Sequence, residues 1–302
     1  MNLASYKHVV VVNTRVNDEE FTGPFVDEVQ KHGVAVSVVD LGRLGFLYEP
    51  SGAITIFNGS EPLPLTSDDF VYMRRTKGDR ELGNVLAWVL DSIGVTFNDK
   101  EAQLHHLIAN SKICQSFRLR EIVSSPKTWV VGLNGFQTQR QMILKSLGYP
   151  LVLKVDGANG ELVWKIDDED MLNKRLAVIG QNRLKNESLT LLFQELIPNT
   201  FDIRVIVYQG QVLSAISRSA GAGEFHNNIS KGGTAASLEL TDDERRIAVE
   251  VTHKLGLDLG GVDLVRTADG VRLFEVNKSP GLVNKIVGDS NVRKIVRKLL
   301  AG

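Results

Sequence analysis

Asp263, Glu275 and Asn277 are the side chains of this sequence whose types and spacing best support chemistry. They fall in residues 260–277, where two β-branched, apolar runs flank Ala268-Asp269-Gly270. That pattern predicts a hairpin with a three-residue loop and glycine in the left-handed position. With Thr267 facing Val271, the antiparallel register sets Asp263 opposite Glu275, and the two-residue period of a strand puts Asn277 on the face of Glu275. Like charges opposed on a ladder repel, so the pair calls for a cation. An all-oxygen donor set suits a hard one such as magnesium, completed by substrate phosphates. The alternative is a solvated sheet face whose carboxylates only repel each other mildly.

Other groups could handle anions. Lys154 enters the turn Asp156-Gly157-Ala158-Asn159-Gly160, whose glycines let a backbone approach a polyphosphate, although a glycine turn between strands is common. Arg204 begins a hairpin over residues 205–208 and 212–217, and Arg218 ends it. Guanidinium is a rigid, permanently charged fork for phosphate or acyl phosphate, and at hairpin ends it is also often merely solvated. Arg74 and Arg75 follow a strand at 70–73, where an open α/β sheet would use them for an anionic substrate or leave them in water. His105 and His106 are adjacent and cannot face one site from a helix. No Ser/His/Asp or Cys/His arrangement is recognisable, and the single cysteine, Cys114, fits packing in a reducing, cytoplasmic setting.

Asp263 together with Glu275-Val276-Asn277-Lys278-Ser279-Pro280-Gly281 resembles the metal hairpin of ATP-grasp carboxylate-amine ligases, most closely the RimK type. The resemblance extends back to about Asn98. It implies a mixed α/β and α+β molecule, an ATP-grasp fold with an N-terminal Rossmann-like (pre-ATP-grasp) domain. It implies activation of a carboxylate by ATP to an acyl phosphate, which an amine converts to an amide with release of ADP and phosphate. By position, Lys112 and Lys154 match the two nucleotide lysines. Gln194, Glu195 and Ile197 match the hinge whose backbone meets adenine, and Asp202 matches a nucleotide-contacting acid. Asp263, Glu275 and Asn277 then hold magnesium, with manganese as the alternative, and Arg218, assisted by Arg204 and Asn228, stabilises developing charge. Asn228 and Lys231 fit a family loop, His226 stands where the RimK type carries arginine, and Glu161 follows the glycine turn where a small or apolar residue would repel phosphate less. The altered glycine turn and Lys278 beside Asn277 favour the rival, an ATP-binding regulatory or assembly protein without ligase activity. The expected partner is a small-molecule or peptide substrate with an amine acceptor; free amino acid or peptide, monomer or homo-oligomer, both stay open.

The elements that must position these groups are those of an ordinary globular chain. Of 302 residues 43% are hydrophobic and 24% charged, which suits two or three compact units. Lys plus Arg number 35 against Asp plus Glu 36, so no bulk field draws nucleic acid or an anionic membrane, and no apolar stretch is long enough to span a bilayer. Strands are expected at 8–12, 34–39, 53–57, 70–73 and 95–97, alternating with helices at 24–32, with Thr22 as its cap, and around Leu82, Val85, Leu86, Val89 and Ile93. This predicts an N-terminal α/β unit over 1–98. Residues 99–302 follow, with a central subdomain at about 99–188 and a C-terminal one at about 189–302. Asp99 is expected to cap a helix through 109 and Ser111 one through 122. Strands are expected at 128–131, 151–155, 161–166 and 190–193. A helix from Thr241, with Glu244 completing a capping box, runs to about 255, and a basic amphipathic helix at 290–300 should present a charged face to solvent.

Overall fold

The computed structural model describes residues 3–14, 18, 20–75, 80–105, 111–155, 162–181, 189–220, 233–282, 286 and 290–301. Its first strand, β1 (His8–Asn13), is the valine run, buried on both faces as a central parallel strand must be. There follow α1 (Thr22–Lys31), β2 (Ala35–Asp40), β3 (Leu44–Tyr48), β4 (Ile54–Asn58), β5 (Glu61–Pro62), β6 (Asp69–Arg75), α2 (Arg80–Ser92) and β7 (Thr96–Phe97). Strands β2-β1-β6-β7 form an all-parallel sheet. Val9 and Val11 join a core with Phe25 and Val29 of α1, while Val10 and Val12 join another with Leu86 and Leu90 of α2. The alternation of one strand thus binds a helix to each face.

Two expectations are corrected here. Thr22 is not a cap: it lies inside α1, and its hydroxyl accepts from the Asn13 amide at 3.0 Å. The strand expected at 53–57 leaves the parallel alternation and pairs in a separate antiparallel sheet, β3-β4-β5. Its partner β3 is apolar with exposed Leu47 and Tyr48, so no period marks it in the sequence.

Next come α3 (Lys100–Leu104), α4 (Lys112–Leu119), β8 (Thr128–Gly132), α5 (Phe136–Leu147), β9 (Leu151–Val155), β10 (Val163–Ile166), α6 (Glu169–Gln181) and β11 (Thr190–Glu195). The antiparallel order is β10-β9-β11-β8, so β11, expected to open the C-terminal portion, sits inside this sheet between β9 and β8. Leu153, Leu191 and Phe193 pack beneath Ile143 of α5 and Leu172 of α6. Ser111 caps α4, accepting from the Cys114 N–H at 3.3 Å, and the helix ends at Leu119 rather than 122. Asp99 does not cap: it is left-handed (φ 51°), and its carboxylate accepts instead from the N–H groups of Asp258 (2.6 Å) and Leu259 (3.1 Å).

The last sheet comprises β12 (Asp202–Tyr208), β13 (Gln211–Ser219), β14 (Thr234–Ser237) and, after α7 (Asp242–Lys254), β15 (Leu259–Thr267) and β16 (Gly270–Asn277), in the order β14-β13-β12-β15-β16. Odd-numbered residues of β12, Ile203 and Val205, pack with Val262 and Leu264 against Ile247, Ala248 and Val251 of α7. Even-numbered ones turn to the opposite face, where Ile206 and Tyr208 meet the N-terminal core. α8 (Asn291–Ala301) returns to that core through Val292, Ile295 and Leu299. Its basic face is only partly given to solvent, since Arg293 and Arg297 stand 3.9 and 3.7 Å from the buried Glu28 carboxylate of α1. Among the described residues no helix is long and apolar enough to cross a membrane.

Candidate active site

The remainder of the non-helical face of the last sheet carries the charges. β15 and β16 turn more tightly than expected: Thr267 pairs with Gly270 (φ 113°), not Val271, leaving two residues in the loop. An irregularity between Asp263 and Leu264 then places two residues of β16 where one would fit, and Asp263 faces Glu275 after all, with Gly261 facing Asn277. Asn277 Nδ2 donates to Glu275 Oε1 at 2.9 Å, so the two share a face. A Cβ on Gly261 would come within 2.4 Å of the Pro280 Cβ, which is why glycine is needed where the turn after Asn277 folds back on β15. Arg74 secures that turn, its Nη2 donating to the Pro280 carbonyl at 2.7 Å while its guanidinium lies 4.7 Å from the centre of the Phe21 ring. It is buried there, which corrects the alternative of an arginine left in water.

Asp263 is met by the protein's own cations. Arg204, its cross-strand partner on β12, grips it with Nε and Nη2, the latter at 2.9 Å, and Arg218 Nη2 lies 3.1 Å away. Arg218 also forks onto Asp202 at 2.7 and 2.9 Å. Nη1 of both arginines makes no hydrogen bond among the described residues. Burial works against the charged form of Arg218, yet Asp263 and Asp202 hold it more firmly protonated than usual; burial raises the Asp202 carboxyl despite that fork.

Glu275 forms the second half. Lys112 Nζ, from the first turn of α4, lies 2.5 Å from its carboxylate. Burial alone would raise the Glu275 carboxyl, but Lys112 and the Asn277 amide hold it well below the usual range. Lys154 on β9 faces the same charges: burial, then the Lys112 ammonium, pushes it down to about 8 against the pull of Glu275. Gln115, one turn along α4 from Lys112, hydrogen-bonds both backbone groups of Val276.

The hinge side chains turn to protein partners. Gln194 Nε2 donates to Thr128 Oγ1 at 2.8 Å, and the Glu195 carboxylate accepts from the Lys127 N–H at 2.9 Å and from Arg272 at 2.5 Å, tying β11 to the hairpin. Ile197 is half-buried just beyond. The glycine turn with Glu161, and His226, Asn228 and Lys231, lie outside the described residues. The structure therefore brings together Lys112, Lys154, Glu275 and Asn277, and beside them Asp202, Arg204, Arg218 and Asp263. Gln115 and the hold of Arg74 on the Pro280 turn have no local signal in the sequence; only the spacing of Lys112 and Gln115, three residues on one helix face, could have hinted at the former.

Among the described residues no group of three or more His, Cys, Asp or Glu side chains could hold a metal unaided. Two facing carboxylates and an amide oxygen do fit magnesium, which takes few protein ligands and keeps phosphate and water oxygens.

Residues 99–299 match the family model described as RimK-like ATP-grasp domain. The chain is 30% identical over 223 residues to probable alpha-L-glutamate ligase 2 of Hahella chejuensis (strain KCTC 2396), covering 70% of this chain and 67% of that protein. It is 37% identical over 161 residues to probable alpha-L-glutamate ligase of Parasynechococcus marenigrum (strain WH8102), covering 50% of this chain and 34% of that protein. The chain thus spans about one third and two thirds of the length of these two curated relatives. The structure of the ATP-grasp ligase PsnB complexed with a phosphomimetic variant of minimal precursor, Mg and ADP matches with a TM-score of 0.71 at 19% identity over 98% of both chains, a likeness of fold. With its antiparallel β8–β11 and β12–β16 sheets, its hairpin Asp263–Glu275 pair and this match over two thirds of its length, the chain belongs to the RimK-like ATP-grasp family and has the ATP-grasp fold.

Proposed function

We propose that the chain is an ATP-dependent carboxylate-amine ligase. A carboxylate oxygen takes the γ-phosphoryl group of ATP, giving ADP and an acyl phosphate; an amine nitrogen then attacks the acyl carbon, and phosphate and a proton leave as the amide forms. The observation that carries this reading is the single sheet face on which Asp263 and Glu275 stand opposed, flanked by Arg204, Arg218 and Lys112. Asp263, Glu275 and Asn277 would hold magnesium, or manganese, which when bound neutralises charge on the transferred phosphoryl group. Lys112 and Lys154 attract the nucleotide phosphates, the backbone at Gln194, Glu195 and Ile197 lines the adenine, and Asp202 serves the nucleotide through its hold on Arg218. Arg218, with Arg204 and Asn228, stabilises the oxyanion after amine attack: a guanidinium fixed by Asp202 and Asp263 costs no reorganisation as that charge develops. No protein nucleophile is used.

Relatives named as ligases weigh against the rival of a nucleotide-binding regulator. Their names support glutamate as one substrate, and the precursor in the PsnB complex supports a peptide as the other. The test is ADP release from ATP and magnesium across a panel of amino acids and peptides that includes glutamate, with Glu275→Gln as the inactive comparison. ADP accompanied by a mass-identified amide is expected. Nucleotide binding with no ADP release across the panel would return the choice to the regulator.

A further inference from the structure

We propose that Gln115 is a positioning residue that fixes the magnesium- and phosphate-binding end of β16, a role that rests on the ligand assignment above. Among the described residues β16 is the edge of its sheet, so alternate residues turn their backbone N–H and C=O outward with no described strand to meet them. At Val276, between Glu275 and Asn277, the Gln115 carboxamide meets both: Nε2 donates to the Val276 carbonyl at 2.8 Å and Oε1 accepts from its N–H at 3.0 Å. One buried side chain thus replaces one residue of a missing strand. An amide is suited to this because it carries a donor and an acceptor side by side. The same turn of α4 delivers Lys112 to Glu275, so backbone position and side-chain charge are set from one rigid element. If β16 shifted outward at Val276, Glu275 and Asn277 would move together away from Asp263, and the donor set would open.

Three variants separate positioning from mere stability. Gln115→Met keeps length but loses both bonds; Gln115→Glu keeps the acceptor for the Val276 N–H. Leu90→Ala opens a cavity in the N-terminal core between α2 and the parallel sheet, which contains no residue of β16 or α4. Magnesium-ADP affinity is measured by calorimetry and amide exchange at Val276 by NMR. Gln115→Met should weaken affinity by about 10–100-fold, the range for supporting partners of metal ligands, and speed exchange at Val276. Gln115→Glu should lose affinity but retain slower exchange, and Leu90→Ala should lower Tm while keeping affinity. Gln115→Met binding as tightly as the parent, or Leu90→Ala losing as much affinity at an equal fall in Tm, would overturn the proposal and leave the ligase reading standing. A parent that binds no magnesium-ADP would overturn both.

Discussion

Lys154 and Glu275 show how burial sets charge in this site. Glu275 stays ionised in spite of burial because Lys112 sits against it, whereas Lys154 has no such contact among the described residues and burial brings its ammonium down to about 8. A triphosphate favours the protonated lysine, so nucleotide affinity should hold below that value and fall as pH rises through it, approaching tenfold per unit, about 1.4 kcal/mol, where one proton is linked to binding. Arginine cannot lose its proton in this range, so Lys154→Arg should flatten the profile. Dissociation constants for an unhydrolysable nucleotide between about pH 7 and 9.5 decide it. Identical profiles for parent and Lys154→Arg would mean that Lys154 does not meet the phosphates. The types of these residues were legible in the sequence; their neutralisation was not. Arg204 and Asp263 are 59 positions apart, Gln115 and Val276 161, and no local pattern records such a meeting.

Elements were legible where one short segment contains its own cause. The capping box is such a case: Thr241 Oγ1 accepts from the Glu244 N–H at 3.2 Å and Glu244 returns to the Thr241 N–H at 2.9 Å. α7 packs on the face opposite the charges, so Thr241→Ala should cost about 1 kcal/mol in denaturant unfolding while leaving nucleotide affinity unchanged. A loss of affinity would mean that α7 reaches the site through the sheet. The hairpin was legible only in its outcome. Its expected three-residue loop and its observed two-residue loop with a bulge lead to the same Asp263–Glu275 pairing, because the extra β16 residue restores the register that the tighter turn removes. Helices α5 and α6 left little trace in sequence, since only Phe136 and Ile143 of one and Leu172 and Ile179 of the other are buried. β11 reads as a strand, but which sheet takes it depends on β8 and β9, a choice the strand itself does not encode.

At the scale of the molecule, the parallel sheet is held to the ATP-grasp portion by polar contacts around Asp99 as well as by the shared core beneath α8. Asn98 Oδ1 accepts from the Met73 N–H at 2.6 Å at the end of β6, and its Nδ2 donates to the Asp99 carboxylate at 2.9 Å. Asp99 accepts in turn from Asp258 and Leu259 at the start of β15, while the Asp258 carboxylate accepts from the Asp99 N–H at 2.6 Å. Nearby, Lys278 Nζ donates to Gln103 Oε1 at 2.6 Å, so the residue after Asn277 is anchored to the segment that follows Asp99. Asp99 therefore ties Asn98, bound at the end of β6, to the start of β15, and it does so from a left-handed backbone that most side chains avoid. Two costs are separable by substitution. Asp99→Ala loses the acceptor and keeps the strained conformation, a loss on the order of 3 kcal/mol from backbone strain and buried donors left unmet. Asp99→Gly removes the strain but not the unmet donors, and Asp99→Asn, which tolerates the left-handed region, keeps an acceptor for both N–H groups. Unfolding midpoints should therefore rank Asn above Gly above Ala. If Gly and Asn both stood level with the parent and only Ala fell, the backbone conformation alone would matter, and the carboxylate would have no part in joining the sheets.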